Sequence, residues 1–315
     1  MELSIDPCLS IPLKSVALAL EFSPFEWSQN LLAVGHSASV AEENENESGN
    51  KIEFNLLWEC HVIDEPVCLS WSPLSTLRSI DKCLQVLIGT TAFNVTEITT
   101  DLKEENILKE VNSHKDNVNS VAYSGEGDVL FAASTSDDLQ LKVWNCKSND
   151  IVSKFLLTSP GMTVKFHPED ADFLLVGEKN GVIRVYCLSQ NYARFALRNP
   201  TILSSDWSIA DPYLIASAGP QGVFMWDVSE QQPVRSLLKV GGGECVSKIA
   251  LCPSSADVAA TISIPNSLRV ICLSTNKVPI ASHLKAASDI SWHLQLPYLA
   301  VASDCRILLW KNDSI

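Results

Sequence analysis

Seven times along the chain an apolar run ends in an aromatic or large aliphatic residue and is followed by proline, histidine or a small polar residue. The runs are Leu20-Glu21-Phe22-Ser23-Pro24, Leu69-Ser70-Trp71-Ser72-Pro73, Val121-Ala122-Tyr123-Ser124, Val164-Lys165-Phe166-His167-Pro168, Leu203-Ser204-Ser205-Asp206-Trp207, Ile249-Ala250-Leu251-Cys252-Pro253 and Ile290-Ser291-Trp292-His293. The anchors at positions 22, 71, 123, 166, 207, 251 and 292 are spaced by 49, 52, 43, 41, 44 and 41 residues. Strand-like alternation inside each unit, at a step in the forties, predicts an all-β fold, a seven-bladed β-propeller of WD-repeat type.

Units of this size fill the 315 residues with little left over, so residues 1–315 read as a single domain. Third strands are expected at Leu141-Lys142-Val143-Trp144, Arg184-Val185-Tyr186, Phe224-Met225-Trp226, Arg269-Val270-Ile271-Cys272 and Leu308-Leu309-Trp310. Only five residues follow Trp310, which leaves the last blade without an outer strand. Spaced apolar residues at Leu3, Ile5, Leu9, Ile11 and Leu13 make residues 1–14 the natural supplier of that strand, closing the ring and covering an open edge. Two polar stretches read as loops: the acidic insertion 42–50 in blade one, and the charged, partly helix-prone link Asp101 to Glu110 that ends blade two.

Composition narrows the setting. Hydrophobic residues make up 46% of the chain, yet no apolar run approaches the roughly 18 residues of a membrane span. The first ten residues carry Glu2, Asp6 and Pro7 where a signal peptide would be basic and then apolar. Ten scattered cysteines without a C-x-x-C pair point to reduced thiols in a reducing compartment, so the sequons at Asn46, Asn94 and Asn312 read as chance matches. With 23 basic residues against 37 acidic ones and a net charge of −14, direct nucleic-acid binding is not expected.

The search for chemistry yields a structural set rather than a catalytic one. In blade three His114, Ser134, Asp138 and Trp144 have the order and spacing of the hydrogen-bonded tetrad of WD repeats. Each therefore has a structural use, and no nucleophile elbow surrounds Ser134. No phosphate loop, zinc-protease motif or metal-spaced Cys/His cluster is present, and Gly241-Gly242-Gly243 lacks the strand-to-helix setting of a phosphate site. No catalytic residue, cofactor or metal is expected, and the chain reads as a non-enzyme.

Further residues carry a resemblance. Ser159-Pro160-Gly161-Met162-Thr163-Val164, His167-Pro168-Glu169 and Glu178-Lys179-Asn180-Gly181-x-Ile183-Arg184-x-Tyr186 resemble the fourth blade of the small WD-repeat nucleoporins of the Y-shaped outer-ring complex. Glu21-Phe22-x-Pro24-Phe25-Glu26, Ser136-Asp137-Asp138 with Trp144-Asn145, and Ser291-Trp292-His293 followed by Leu296-Pro297 support it. The resemblance implies a scaffold at the nuclear envelope and nuclear pore complex. It further implies binding to other nucleoporins, chiefly the large propeller-plus-helical one on a short arm of the Y, support of protein and messenger RNA transport without membrane insertion, and a place at kinetochores. The loop Pro160-Gly161-Met162 and the turn Glu178-Lys179-Asn180 should open side by side on one face and offer a partner-binding patch. Two other classes stay open: a substrate receptor of a ubiquitin ligase, for which the residues after Trp144 and Trp226 fit only in part, and a histone-peptide reader with an aromatic cage in the channel.

Overall fold

A computed structural model describes residues 5–312, apart from 36–38, 46–51, 61, 63, 79–81, 104–105, 126–128, 230–233 and 239–243. Each repeated run forms the first strand of an antiparallel sheet: Ala19–Phe22, Pro66–Trp71, Val118–Tyr123, Gly161–Phe166, Ser204–Trp207, Cys245–Leu251 and Ala287–Trp292. These strands touch one another in cyclic order and line a central channel. Among the described residues no helix is long and apolar enough to cross a membrane.

Six sheets consist of four strands consecutive in the chain. One more is composite: Ala287–Trp292, Tyr298–Ser303 and Arg306–Lys311 take Leu9–Pro12 as their outer strand. The expectation of seven blades is thus corrected in its repeat count: the chain carries six complete four-stranded units, and the last sheet is completed only from the opposite end. Leu9 pairs with Leu309 and Pro12 with Arg306. The Trp310 indole N–H donates to the Ile5 carbonyl at 2.9 Å, while Leu9, Ile11 and Leu13 pack beside Phe22, Leu32, Ala300 and Leu309. Leu3 lies outside the described residues.

Both predicted loops need correction. Residues 42–45 of the acidic stretch run within the strand Ser39–Glu45, with Glu42 opposite Asn55 and Glu45 opposite Ile52; residues 46–50 lie outside the described residues. The link Asp101 to Glu110, expected to be partly helix-prone, runs from residue 106 onward in the outer strand of blade two, Asn106–Ser113, because Asn94–Thr100 offers its unpaired backbone edge to it. Local helix preference is outweighed there by a ready ladder.

The core is divided among the gaps between neighbouring sheets. Leu141, Val143, Val164 and Leu174 fill the gap between blades three and four, and Leu175, Ile183, Trp207 and Trp226 the next one. The spacing of the anchors follows from this, since each must plug the joint between its own sheet and the one before or after.

Candidate functional site

The hydrogen-bonded geometry of a blade is clearest around His114. Its Nδ1 lies 2.9 Å from Asp138 Oδ2 and its Nε2 2.7 Å from Ser134 Oγ. Burial lowers the His114 pKa, so the neutral ring donates from Nδ1 to the carboxylate and accepts the Ser134 hydroxyl at Nε2. Asp138, despite burial, is held below its ordinary value by the Lys115 N–H, His114 and the Gln140 N–H. Trp144 joins this set by packing, 1% exposed among Leu87, Val95, Val118 and Tyr123. The connectivity Ser–His–Asp is that of a hydrolytic triad, but Ser134 is 0% exposed, so its Oγ has no access to a substrate.

On blade four the two expected face loops do come together. Lys179 N–H donates to the Pro160 carbonyl at 2.9 Å, and Asn180 N–H to Ser159 Oγ at 3.1 Å. The loops divide their residues between inside and outside, however. Glu178, expected as a charged rim, is fully buried: its Oε2 accepts the Thr158 and Ser159 N–H groups at 2.8 and 3.0 Å and the Thr158 hydroxyl at 2.6 Å, and it pairs with Arg184. Gly161 is buried, and so closely packed that a Cβ there would meet the Thr135 and Leu157 side chains below 3 Å. Met162, expected to face outward, sits where the register of its strand shifts and lines the central channel instead. Lys179 and Asn180 remain exposed on this face, beside half-buried Pro160.

The same face carries two apolar residues in a backbone conformation that normally favours glycine. Phe93 (φ 68) and Leu139 (φ 65) hold the position that Gly181 (φ 96) holds in blade four, each 36% exposed. A bulky residue at positive φ costs roughly 1 kcal/mol. Leu156, 79% exposed and paired opposite Gln140, extends this apolar edge.

The polar positions inside the repeated runs have a role that sequence reading missed: they tie innermost strands to their neighbours in the ring. Side-chain oxygens of one blade accept backbone N–H groups of its neighbour. Phe22 N–H donates to Ser291 Oγ (2.9 Å), Trp71 N–H to Glu21 Oε2 (3.0 Å), Tyr123 N–H to Ser70 Oγ (3.2 Å) and Leu251 N–H to Asp206 Oδ2 (2.8 Å). A second level, three residues before the anchor, repeats the device, with Leu20 N–H donating to Asp289 Oδ2 and Val164 N–H to Ser120 Oγ. The recurrence of a polar residue at a fixed offset within an apolar strand was the available signal. The residue after the anchor caps the following turn: Nδ1 of His167 accepts from Glu169 and Asp170, and Nδ1 of His293 from Gln295 and Leu296.

Glu21 and His293 make the ring respond to pH in opposite senses. Burial pushes the Glu21 carboxyl up to about 7, partly offset by Lys165 and the Trp71 N–H, whereas burial lowers His293 to about 4. A folded carboxyl above its unfolded value binds a proton that the unfolded chain releases, so stability declines as pH rises from the ordinary carboxylate range to about 7. His293 does the reverse and loses stability as pH falls from 6.5 towards about 4. Glu21→Gln keeps an acceptor for Trp71 and removes only the first effect. Its melting temperature relative to the unmodified protein is expected to be unchanged near pH 4.5 and higher by several degrees near pH 8, a gain of at most about 3 kcal/mol. Equal melting at pH 8 would show that Glu21 is not desolvated.

The WD domain, G-beta repeat family model matches residues 105–145, which run from the outer strand of blade two to the third strand of blade three. Nucleoporin Nup37 of Mus musculus is 28% identical, with 93% of each chain covered. The Drosophila melanogaster Nup37 is 27% identical over 98% of each chain, and the Homo sapiens Nup37 26% identical over 93% of each. Similarity that runs end to end, over a ring of sheets anchored by the repeated run, makes this chain a Nup37-like WD-repeat nucleoporin.

Proposed function

We propose that the chain is a structural subunit of the nuclear pore, docking through its propeller on the large propeller-plus-helical nucleoporin of a short arm in the Y-shaped outer-ring complex. In that place it supports protein and messenger RNA transport by holding the ring together. The observation that carries this reading is the end-to-end similarity to Nup37 of mouse, fly and human. The buried Ser134 supports a binding role over a hydrolytic one.

The docking surface is the face that bears Phe93, Leu139, Leu156, Lys179 and Asn180. Apolar side chains kept at positive φ at a cost to the backbone are best explained by contacts that a partner supplies. A Leu139→Asp, Lys179→Glu double variant tests this, since Asp tolerates positive φ and both side chains are exposed. It is expected to melt like the unmodified protein and bind the large nucleoporin at least tenfold more weakly, a loss of about 1.4 kcal/mol. Binding within twofold would move the interface to another face. Affinity purification from a nuclear-envelope fraction tests the function itself: outer-ring nucleoporins are expected, and recovery of ubiquitin-ligase adaptors in their place would overturn the scaffold reading.

A further inference from the structure

The central channel holds an unequal set of charges. Three carboxylates, Glu21, Asp206 and Asp289, share it with two ammoniums, Lys165 and Lys248. Lys165 lies 3.9 Å from Asp206 and Lys248 3.1 Å from Asp289, which among the described residues leaves Glu21 as the channel anion without an ion pair of its own at that range. Glu21, Lys165 and Asp206 each stand one residue before the end of their strands, near the mouth formed where the chain leaves the ring. That mouth is rimmed by Pro24, Phe25, Ile209, Pro253 and Leu294, with Ile209 46% exposed. The channel encloses about 240 Å³, room for one extended side chain with some water.

We propose that this channel binds a basic side chain, arginine by preference, carried on a peptide segment of a partner protein and inserted through the apolar mouth. A third cation would bring the channel to three charges of each sign. Its aliphatic stem suits the apolar rim, and apolar neighbours in the peptide would rest on Phe25, Ile209 and Leu294. A bare metal ion fits less well, because no three His, Cys, Asp or Glu groups converge to hold one among the described residues. A guanidinium presents five donors in a planar fork and is weakly hydrated, so it can span carboxylates set on different strands. The mouth lies on the opposite face from Leu139 and Lys179, so this site goes beyond the scaffold role proposed above and does not depend on it.

The charged groups that face Glu21 are Lys165, Asp206 and Asp289 across the channel, with Lys248 beside Asp289 and the Trp71 N–H on its own oxygen. With its carboxyl raised to about 7, Glu21 loses charge as the medium is acidified, and the site should weaken with it.

The test uses the full chain and the peptide acetyl-Leu-Arg-Leu-amide in calorimetric titration near pH 8. Saturable binding in the range of about 0.1–1 mM is expected, weakened about tenfold by Glu21→Gln and at least about threefold near pH 5.5. The citrulline analogue should not bind, and Lys154→Glu, exposed on the outer strand Ile151–Leu156 of blade three, should leave binding intact. Should Glu21→Gln fold poorly, Ile209→Ser at the exposed rim tests the same site, with a loss of at least about threefold expected. No saturation up to about 5 mM, equal binding of citrulline, or indifference to both Glu21→Gln and Ile209→Ser overturns the proposal.

Discussion

Deleting residues 1–14 is expected to give a protein that elutes as aggregate and has no cooperative melting transition. The segment supplies the outer strand of the composite sheet, in register from Leu9 opposite Leu309 to Pro12 opposite Arg306. It also supplies Cys8 N–H to Leu309 O and Leu13 N–H to Cys305 O, both at 2.8 Å, and the Ile5 carbonyl that takes the Trp310 indole. A handful of such hydrogen bonds at about 1 kcal/mol each, with three half-buried apolar side chains, amounts to about 4–8 kcal/mol. That is a large part of the 5–15 kcal/mol by which domains are typically stable. What remains is worse than a weakened sheet, because Arg306–Lys311 becomes an open edge whose free N–H and C=O groups recruit other chains. A soluble monomeric deletion with an unchanged melting temperature would reduce the segment to a tail.

How far the sequence could be read follows from the range of each interaction. The anchors Phe22, Trp71, Tyr123, Phe166, Trp207, Leu251 and Trp292 all end innermost strands, because an apolar run followed by a turn is a local signal. His114, Ser134 and Asp138 were legible for the same reason, all lying within one blade. Glu178 was misplaced as a surface charge because the partners that bury it, Thr158 and Arg184, meet it only once the sheet has formed. Glu21 is harder still: its hydrogen bond reaches Trp71, fifty residues on, and its raised pKa depends on desolvation that no residue order announces. The link Asp101 to Glu110 shows the converse case, where the second half of a partly helix-prone stretch joins the strand Asn106–Ser113 because a neighbour lacks a partner.

Trp144→Ala is expected to cost about 3–5 kcal/mol, measured as a lowered urea midpoint with an unchanged slope. The indole is 1% exposed and fills the joint between blades two and three, against Leu87, Val95, Val118, Val121, Tyr123 and Ala132. Truncation leaves a cavity walled by two sheets, and neither can collapse into it without breaking its own ladders. Ser134→Ala gives the comparison that separates packing from hydrogen bonding in this blade. It removes the 2.7 Å partner of His114 Nε2 and leaves that nitrogen buried, at a cost of about 1–3 kcal/mol. The order expected is therefore Trp144→Ala more damaging than Ser134→Ala. A loss below about 1 kcal/mol at Trp144 would mean that the indole does not seal the joint. The reverse order would make the polar chain, and not the packed indole, the main tie of the blade.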